Sequence, residues 1–150
     1  MGIEDASVAD IQIVKERRAV LRRRDGMPHF EVTTIDGERV RYADLWQHSN
    51  LVFVSVDSRD DPYGRSLAAR ADDFAATDTA LVVSTEPITG VPTPGVVIAD
   101  QWGEVAYVFD AHHPDESRRL DRRGTTPLPS ERELLDWINF VRMRCPECPP

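Results

Sequence analysis

Residues 51–56 read Leu-Val-Phe-Val-Ser-Val, an almost continuously apolar run. Such a run, without polar alternation, marks a strand buried on both faces. A strand of that kind needs packed layers above and below it, which restricts the chain to a covered sheet. Two further segments fit beside it: Ala-Leu-Val-Val-Ser at 80–84, a second buried strand, and Val-Val-Ile-Ala at 96–99.

Around these strands the pattern alternates with helix. Val8, Ile11, Val14 and Leu21 recur at helical multiples from Ala6 to about Arg23, and Asp25-Gly26 supplies a stop. This amphipathic segment either covers a sheet face of its own domain or pairs with its copy in a homodimer. Phe30, Val32 and Thr34 then alternate with Glu31 and Thr33, Asp36-Gly37 signals a hairpin, and residues 39–41 return as a short strand. Residues 44–46 form one helical turn. Residues 66–76, with Leu67, Ala71 and Phe74 on one side, predict a helix. A proline-rich interruption at 90–95 precedes the strand at 96–99, and a turn at 100–103 leads to a strand at 105–109. Residues 111–129 are polar and read as loop. Ser130 caps a last helix, with Glu133 at capping-box spacing and Leu134, Leu135, Trp137, Ile138 and Val141 along it. The expected fold class is α/β: a mixed central sheet, helices on both faces, an N-terminal β-hairpin and an extra N-terminal helix.

A chain of 150 residues suits one domain. A chain of that size buries roughly 68–70% of its unfolded surface without disulfide staples. The net charge of −8 argues against non-specific binding to nucleic acid. The basic stretch 15–24 reads as a solvated helix face or a patch that meets the protein's own acidic surface. No apolar run approaches the ~18 residues of a membrane span, and the N-terminus lacks the order of a secretory signal, so the expected location is cytoplasmic. In that compartment a close cysteine pair is more often catalytic or metal-binding than structural.

The matching pieces from Met27 to about Val141 resemble the thioredoxin-fold superfamily, in the redoxin branch that holds peroxiredoxins and thiol-disulfide oxidoreductases related to cytochrome maturation. Met-Pro-His-Phe-Glu-Val at 27–32, followed by Asp36-Gly37 and Val40, is similar to the redoxin opening, where a P-x-F strand turns through D-G into its partner. Residues 51–56 match the central strand. Gly-Val-Pro-Thr-Pro at 90–94, the strand after it and Gly103 resemble the segment where the superfamily places a cis-proline. In that pattern the proline follows threonine and stands nine positions before the turn glycine, which selects Pro94 over Pro92. The resemblance implies that Thr93 and Pro94 present backbone to an extended thiol substrate. It divides the chain into an N-terminal amphipathic helix at 1–26, a thioredoxin-like domain at 27–143 and a Cys-Pro-Glu-Cys tail at 144–150.

The resemblance breaks where it implies the reactive cysteine, at the head of the helix after the central strand. Residues 57–66 read Asp-Ser-Arg-Asp-Asp-Pro-Tyr-Gly-Arg-Ser and contain no cysteine. Tyr63 and Arg65 occupy that place and are candidate substrate contacts by position. A standard peroxiredoxin mechanism is excluded there. Both cysteines of the chain, Cys145 and Cys148, lie in the tail. A C-x-x-C pair serves disulfide exchange and metal chelation alike. Three readings stand: exchange by Cys145 and Cys148 with a protein or small-molecule thiol or disulfide, with no cofactor; a redox-inactive binding module; and an inter-subunit zinc site on the same two cysteines, completed by His112 and His113 or by a second subunit.

Overall fold

The computed structural model describes residues 20–113 and 128–143. Its elements run β1 (Glu31–Thr33), β2 (Arg39–Arg41), α1 (Tyr42–Leu45), β3 (Asn50–Ser55), α2 (Pro62–Ala68), α3 (Ala71–Ala75), β4 (Thr79–Ser84), β5 (Gly95–Ala99), β6 (Val105–Asp110) and α4 (Glu131–Met143). The main sheet has the order β4-β3-β5-β6, with β3 parallel to β4 and antiparallel to β5. All six residues of β3 are buried, as the unbroken apolar run requires.

Side chains alternate across β3 and divide the interior into two layers. Val52 and Val54 point with Val96 and Ile98 into a layer closed by Leu67 of α2, Phe74 of α3, and Leu134, Ile138 and Val141 of α4. Leu51 and Phe53 point with Val97 and Ala99 into the other layer, closed by Met27, Phe30, Val32 and Tyr42. Helices thus flank both faces, but α1 on the second face is a single turn and the hairpin supplies the rest of the cover. Residues 85–94, which connect β4 to β5, contain no helix.

The hairpin follows the Asp36-Gly37 signal. Gly37 takes φ 87°, a left-handed value that a side chain disfavours, and its N–H donates to the Thr34 carbonyl at 2.9 Å. The tip turns inward. Ile35 is buried among Val56, Leu67 and Val83, and its N–H donates to the Val83 carbonyl at 2.9 Å. In the second layer the Tyr42 hydroxyl is buried with no hydrogen-bond partner among the described residues. Burial, aided by the charge of Asp100, pushes its pKa up to about 12.

Three local expectations are corrected. The helix expected at 66–76 is two helices beginning at Pro62. The Asp61 side chain accepts the Gly64 N–H at 2.9 Å and Pro62 fills the first turn, where its missing N–H costs nothing. Arg70, at φ −111° and ψ 18°, leaves the helical region and separates α2 from α3, and its Nε reaches Glu131 of α4 at 3.4 Å. The helix expected to run to Arg23 does not include residues 20–25, which form a bend and a turn. Their main chain is used by the domain instead: the Leu21 N–H donates to Gly90 and the Arg24 N–H to Val105, each at 2.8 Å. The remainder of that helix, residues 1–19, lies outside the described residues. Finally, β4 is a sheet edge with Ala80 and Leu81 only half-buried, so it is not covered on both faces throughout.

Candidate functional site

The C-terminal ends of β3 and β4 and the start of β5 meet at one corner of the sheet. Ser55 and Ser84 face each other across β3 and β4, and Ser55 also pairs with Gly95 of β5. Both serines are buried. Their hydroxyls end apolar strands, so each needs a partner. Ser84 Oγ donates to the Thr33 carbonyl at 2.7 Å and accepts the Glu86 N–H at 3.1 Å. Ser55 Oγ lies 2.5 Å from Thr93 Oγ1.

Thr93 and Pro94 are joined by a cis peptide bond. The loop that carries them folds down onto Gly95, where an added Cβ would stand 2.4 Å from the Pro92 carbonyl oxygen. The Pro94 carbonyl accepts the Ala111 N–H at 3.1 Å, and His112 Nε2 lies 3.3 Å from the Thr93 carbonyl. The imidazole therefore sits on one main-chain oxygen that the loop would otherwise offer to a partner.

The head of α2 follows β3 at this end of the sheet, and four of its side chains are committed within the domain. The Asp61 carboxylate caps the helix. The Tyr63 hydroxyl donates to the Pro129 carbonyl at 2.7 Å and so holds the segment entering α4. Arg65 Nη1 reaches Asp36 Oδ1 on the hairpin tip at 3.0 Å. Arg59 Nη2 donates to the Ile35 carbonyl at 3.4 Å. Of the four residues expected at the corner, Thr93 and Pro94 form its wall, whereas Tyr63 and Arg65 tie α2 to its neighbours. Ser55 and His112 were missed as corner residues. The signal for Ser55 was present, since it is the one hydroxyl in the otherwise apolar run 51–56.

Cys145 and Cys148 lie outside the described residues. The helix that leads to them ends at the other pole of the sheet. Arg142, in its last turn, stands 3.9 Å from Asp78, which immediately precedes β4. Ser84, at the corner, is six residues further along. Among the described residues no three His, Cys, Asp or Glu side chains are grouped to hold a metal. Among them also, no helix is long and apolar enough to cross a membrane.

No family model matches the chain, and no curated protein matches its sequence. Solved structures do match. The mitochondrial 2-Cys peroxiredoxin of Plasmodium falciparum superposes with a TM-score of 0.51 at 9% identity, covering 81% of this chain and 94% of that one. The peroxidoxin BcpB of Mycobacterium tuberculosis also gives 0.51, at 11% identity, covering 83% of this chain and 99% of that one. With a central buried strand parallel to one neighbour and antiparallel to the other, an opening hairpin and a cis-proline loop beside the strand ends, the chain has a thioredoxin-type fold of the form found in peroxiredoxins.

Proposed function

We infer that this domain is a binding module on a thioredoxin-type fold, with a cis-proline corner that receives an extended partner and performs no thiol chemistry of its own. The observation that carries this reading is the commitment of the head of α2. Where a redoxin nucleophile is expected, Asp61, Tyr63 and Arg65 all serve contacts inside the domain, and no cysteine stands there. Partner recognition would use main chain: the Thr93 carbonyl after displacement of His112, together with the proline face beside it.

Disulfide exchange through Cys145 and Cys148 is the second reading, favoured by their C-x-x-C spacing. The direction of α4 argues against attack by Cys145 at Pro94, whereas Cys148, six residues beyond Arg142, reaches at most about 20 Å, the span between the poles. At about 3.3 Å per residue, a six-residue strand separates the two poles of the sheet by roughly 20 Å. Cys145 is only three residues beyond Arg142. A span of three residues reaches at most about 10 Å.

An insulin-type disulfide reduction assay separates the two readings. The module predicts no turnover above that of a Cys145→Ser variant. Turnover abolished by Cys145→Ser would overturn it, and a parallel loss in Pro94→Ala would further require the tail to work at the corner.

A further inference from the structure

A groove of about 430 Å³ runs between residues 28–32 and residues 86–89. It opens where two paired segments diverge. The hairpin and β4 meet through the antiparallel Thr34–Ser84 bridge, and the Ile35 N–H donates to the Val83 carbonyl at 2.9 Å. One residue further out, side chains replace main chain as partners: the Thr33 N–H donates to Glu86 Oε2 and the Thr33 carbonyl accepts from Ser84 Oγ. Pro87 comes next, and without an N–H it cannot carry the pairing on.

Beyond Thr33 the edge of β1 is therefore open. The Tyr42 N–H donates to Phe30 and the Thr34 N–H to Glu38, so the even residues turn their main chain toward β2. The odd residues turn theirs toward the groove. Among the described residues, the N–H and carbonyl of Glu31 have no hydrogen-bond partner. An edge with an unfilled donor and acceptor is a place for adding a strand. Thr33, already satisfied, bounds such a strand on one side, and His29, its ring held against Tyr42 and Trp46 at 5.4 and 5.5 Å, bounds it on the other.

Charge and burial select the occupant. The carboxylates of Glu31 and Glu86 share one guanidinium, Arg39, at 3.3 and 3.6 Å, which leaves one negative charge unmatched. The net charge of −8 on the chain draws cations toward it as well. Along the strand Phe30 and Val32 are buried, whereas Glu31 between them is exposed. We propose that the groove binds an extended peptide segment of another protein, in which an arginine or lysine stands between two β-branched apolar residues. The basic residue exchanges main-chain hydrogen bonds with Glu31 and lies on the same face as its carboxylate, because directly opposed residues share a face. Its two neighbours point the other way, onto Phe30, Val32 and the half-buried Ile88. The groove binds in this way whether or not the Thr93–Pro94 corner receives a partner.

The test titrates the full-length protein with three capped peptides: Thr-Val-Arg-Val-Thr, its counterpart Thr-Val-Glu-Val-Thr, and the arginine peptide methylated on the arginine main-chain nitrogen. The arginine peptide should shift the amide resonances of Glu31 and Thr89 and leave Ala111, at the corner, unmoved. The other two should each bind about tenfold more weakly, the first through like charge opposite Glu31 and the second through the lost donor. In Glu31→Lys, a substitution at an exposed position, the preference between arginine and glutamate peptides should reverse. Equal binding of all three peptides, shifts at Ala111 in place of Glu31, or no shift at peptide concentrations on the order of millimolar would overturn the proposal. So would Glu31 shifts that follow protein concentration without peptide, which would assign the groove to a second copy of this chain.

Discussion

Gly95 is the residue on which the corner loop rests, and replacing it by alanine tests that description directly. A Cβ there would stand 2.4 Å from the Pro92 oxygen, 2.6 Å from Pro92 Cγ and 2.9 Å from the Phe109 oxygen. Two of those atoms are main chain, and Phe109 is held in the β5–β6 ladder opposite Val96, so it cannot simply rotate aside. Overpacking of this kind costs about 1–3 kcal/mol. Against it stands the gain of about 0.4–1 kcal/mol that alanine brings by restricting the unfolded chain. The steric cost wins, and the net destabilisation is about 1–2 kcal/mol. At roughly 2–4 °C per kcal/mol for a chain of this size, Tm should fall by about 2–8 °C. Amide shifts should move at Thr93 and at Ala111, whose N–H is bonded to Pro94, and stay fixed at Asn50 and Thr79 on the far pole. Adding Pro92→Ala removes the Cγ contact but leaves both oxygens, so it should recover only part of the loss. A Gly95→Ala protein as stable as the parent, or more so, would refute the close approach of this loop.

Tyr42→Phe should leave stability at pH 7 unchanged or slightly raised, because the hydroxyl it removes is buried without a partner among the described residues. The same variant should alter the alkaline limb. Tyr42 ionises near 10 when unfolded and at about 12 when folded, so the unfolded state binds fewer protons between those values. Its contribution is therefore complete below pH 10 and is lost as pH rises toward 12, a slope in the urea midpoint that the phenylalanine variant should lack. Tyr63→Phe should cost about 0.5–1.5 kcal/mol in urea unfolding through loss of the Pro129 hydrogen bond, and an unchanged midpoint would contradict that contact. Ile35→Ala should cost about 2–5 kcal/mol and release the hairpin tip, seen as faster exchange of the Ile35 amide. Values below ~1 kcal/mol would show that the tip is not part of the core.

The elements legible in the sequence are those whose signals are local. The uninterrupted run at 51–56 identifies β3, Asp36-Gly37 fixes the hairpin turn, and Ser130 starts α4, its Oγ accepting the Glu133 N–H at 3.2 Å. The start of α2 was equally local, since Asp61-Pro62 is a cap followed by a first-turn proline, but the alanine-rich stretch after it drew the boundary too late. The break at Arg70 is of another kind. Besides the local Asp73 at 3.7 Å, its ion-pair partner is Glu131, far away in sequence, and no helical period reveals that contact. The roles of Tyr63 and Arg65 fail to appear for the same reason: their partners lie 66 and 29 residues away. A polar residue at a suggestive position looks like a ligand contact until its distant partner is known.

The packing around the head of α2 also decides whether the corner is a redoxin site that has merely lost its sulfur. If it were, a cysteine placed in the first turn of α2 would fit. At Gly64 a Cβ would already stand 3.2 Å from Val56 Cγ1 and 3.2 Å from Val83 Cγ1, both in the buried layer, and a sulfur beyond it would need still more room. At Tyr63 the substitution would remove the bond to Pro129 and the ring that packs on the same layer. At Pro62 it would remove the residue that starts the helix. Each change carries a cost of about 1 kcal/mol or more, set against a helix-dipole benefit to a thiolate of only about 0.3–1 kcal/mol. The corner is therefore built around the residues it has. The side chains at the head of α2 join the hairpin, the buried layer and the entry to α4, and in doing so they fix the strand ends against which the Thr93–Pro94 loop is held.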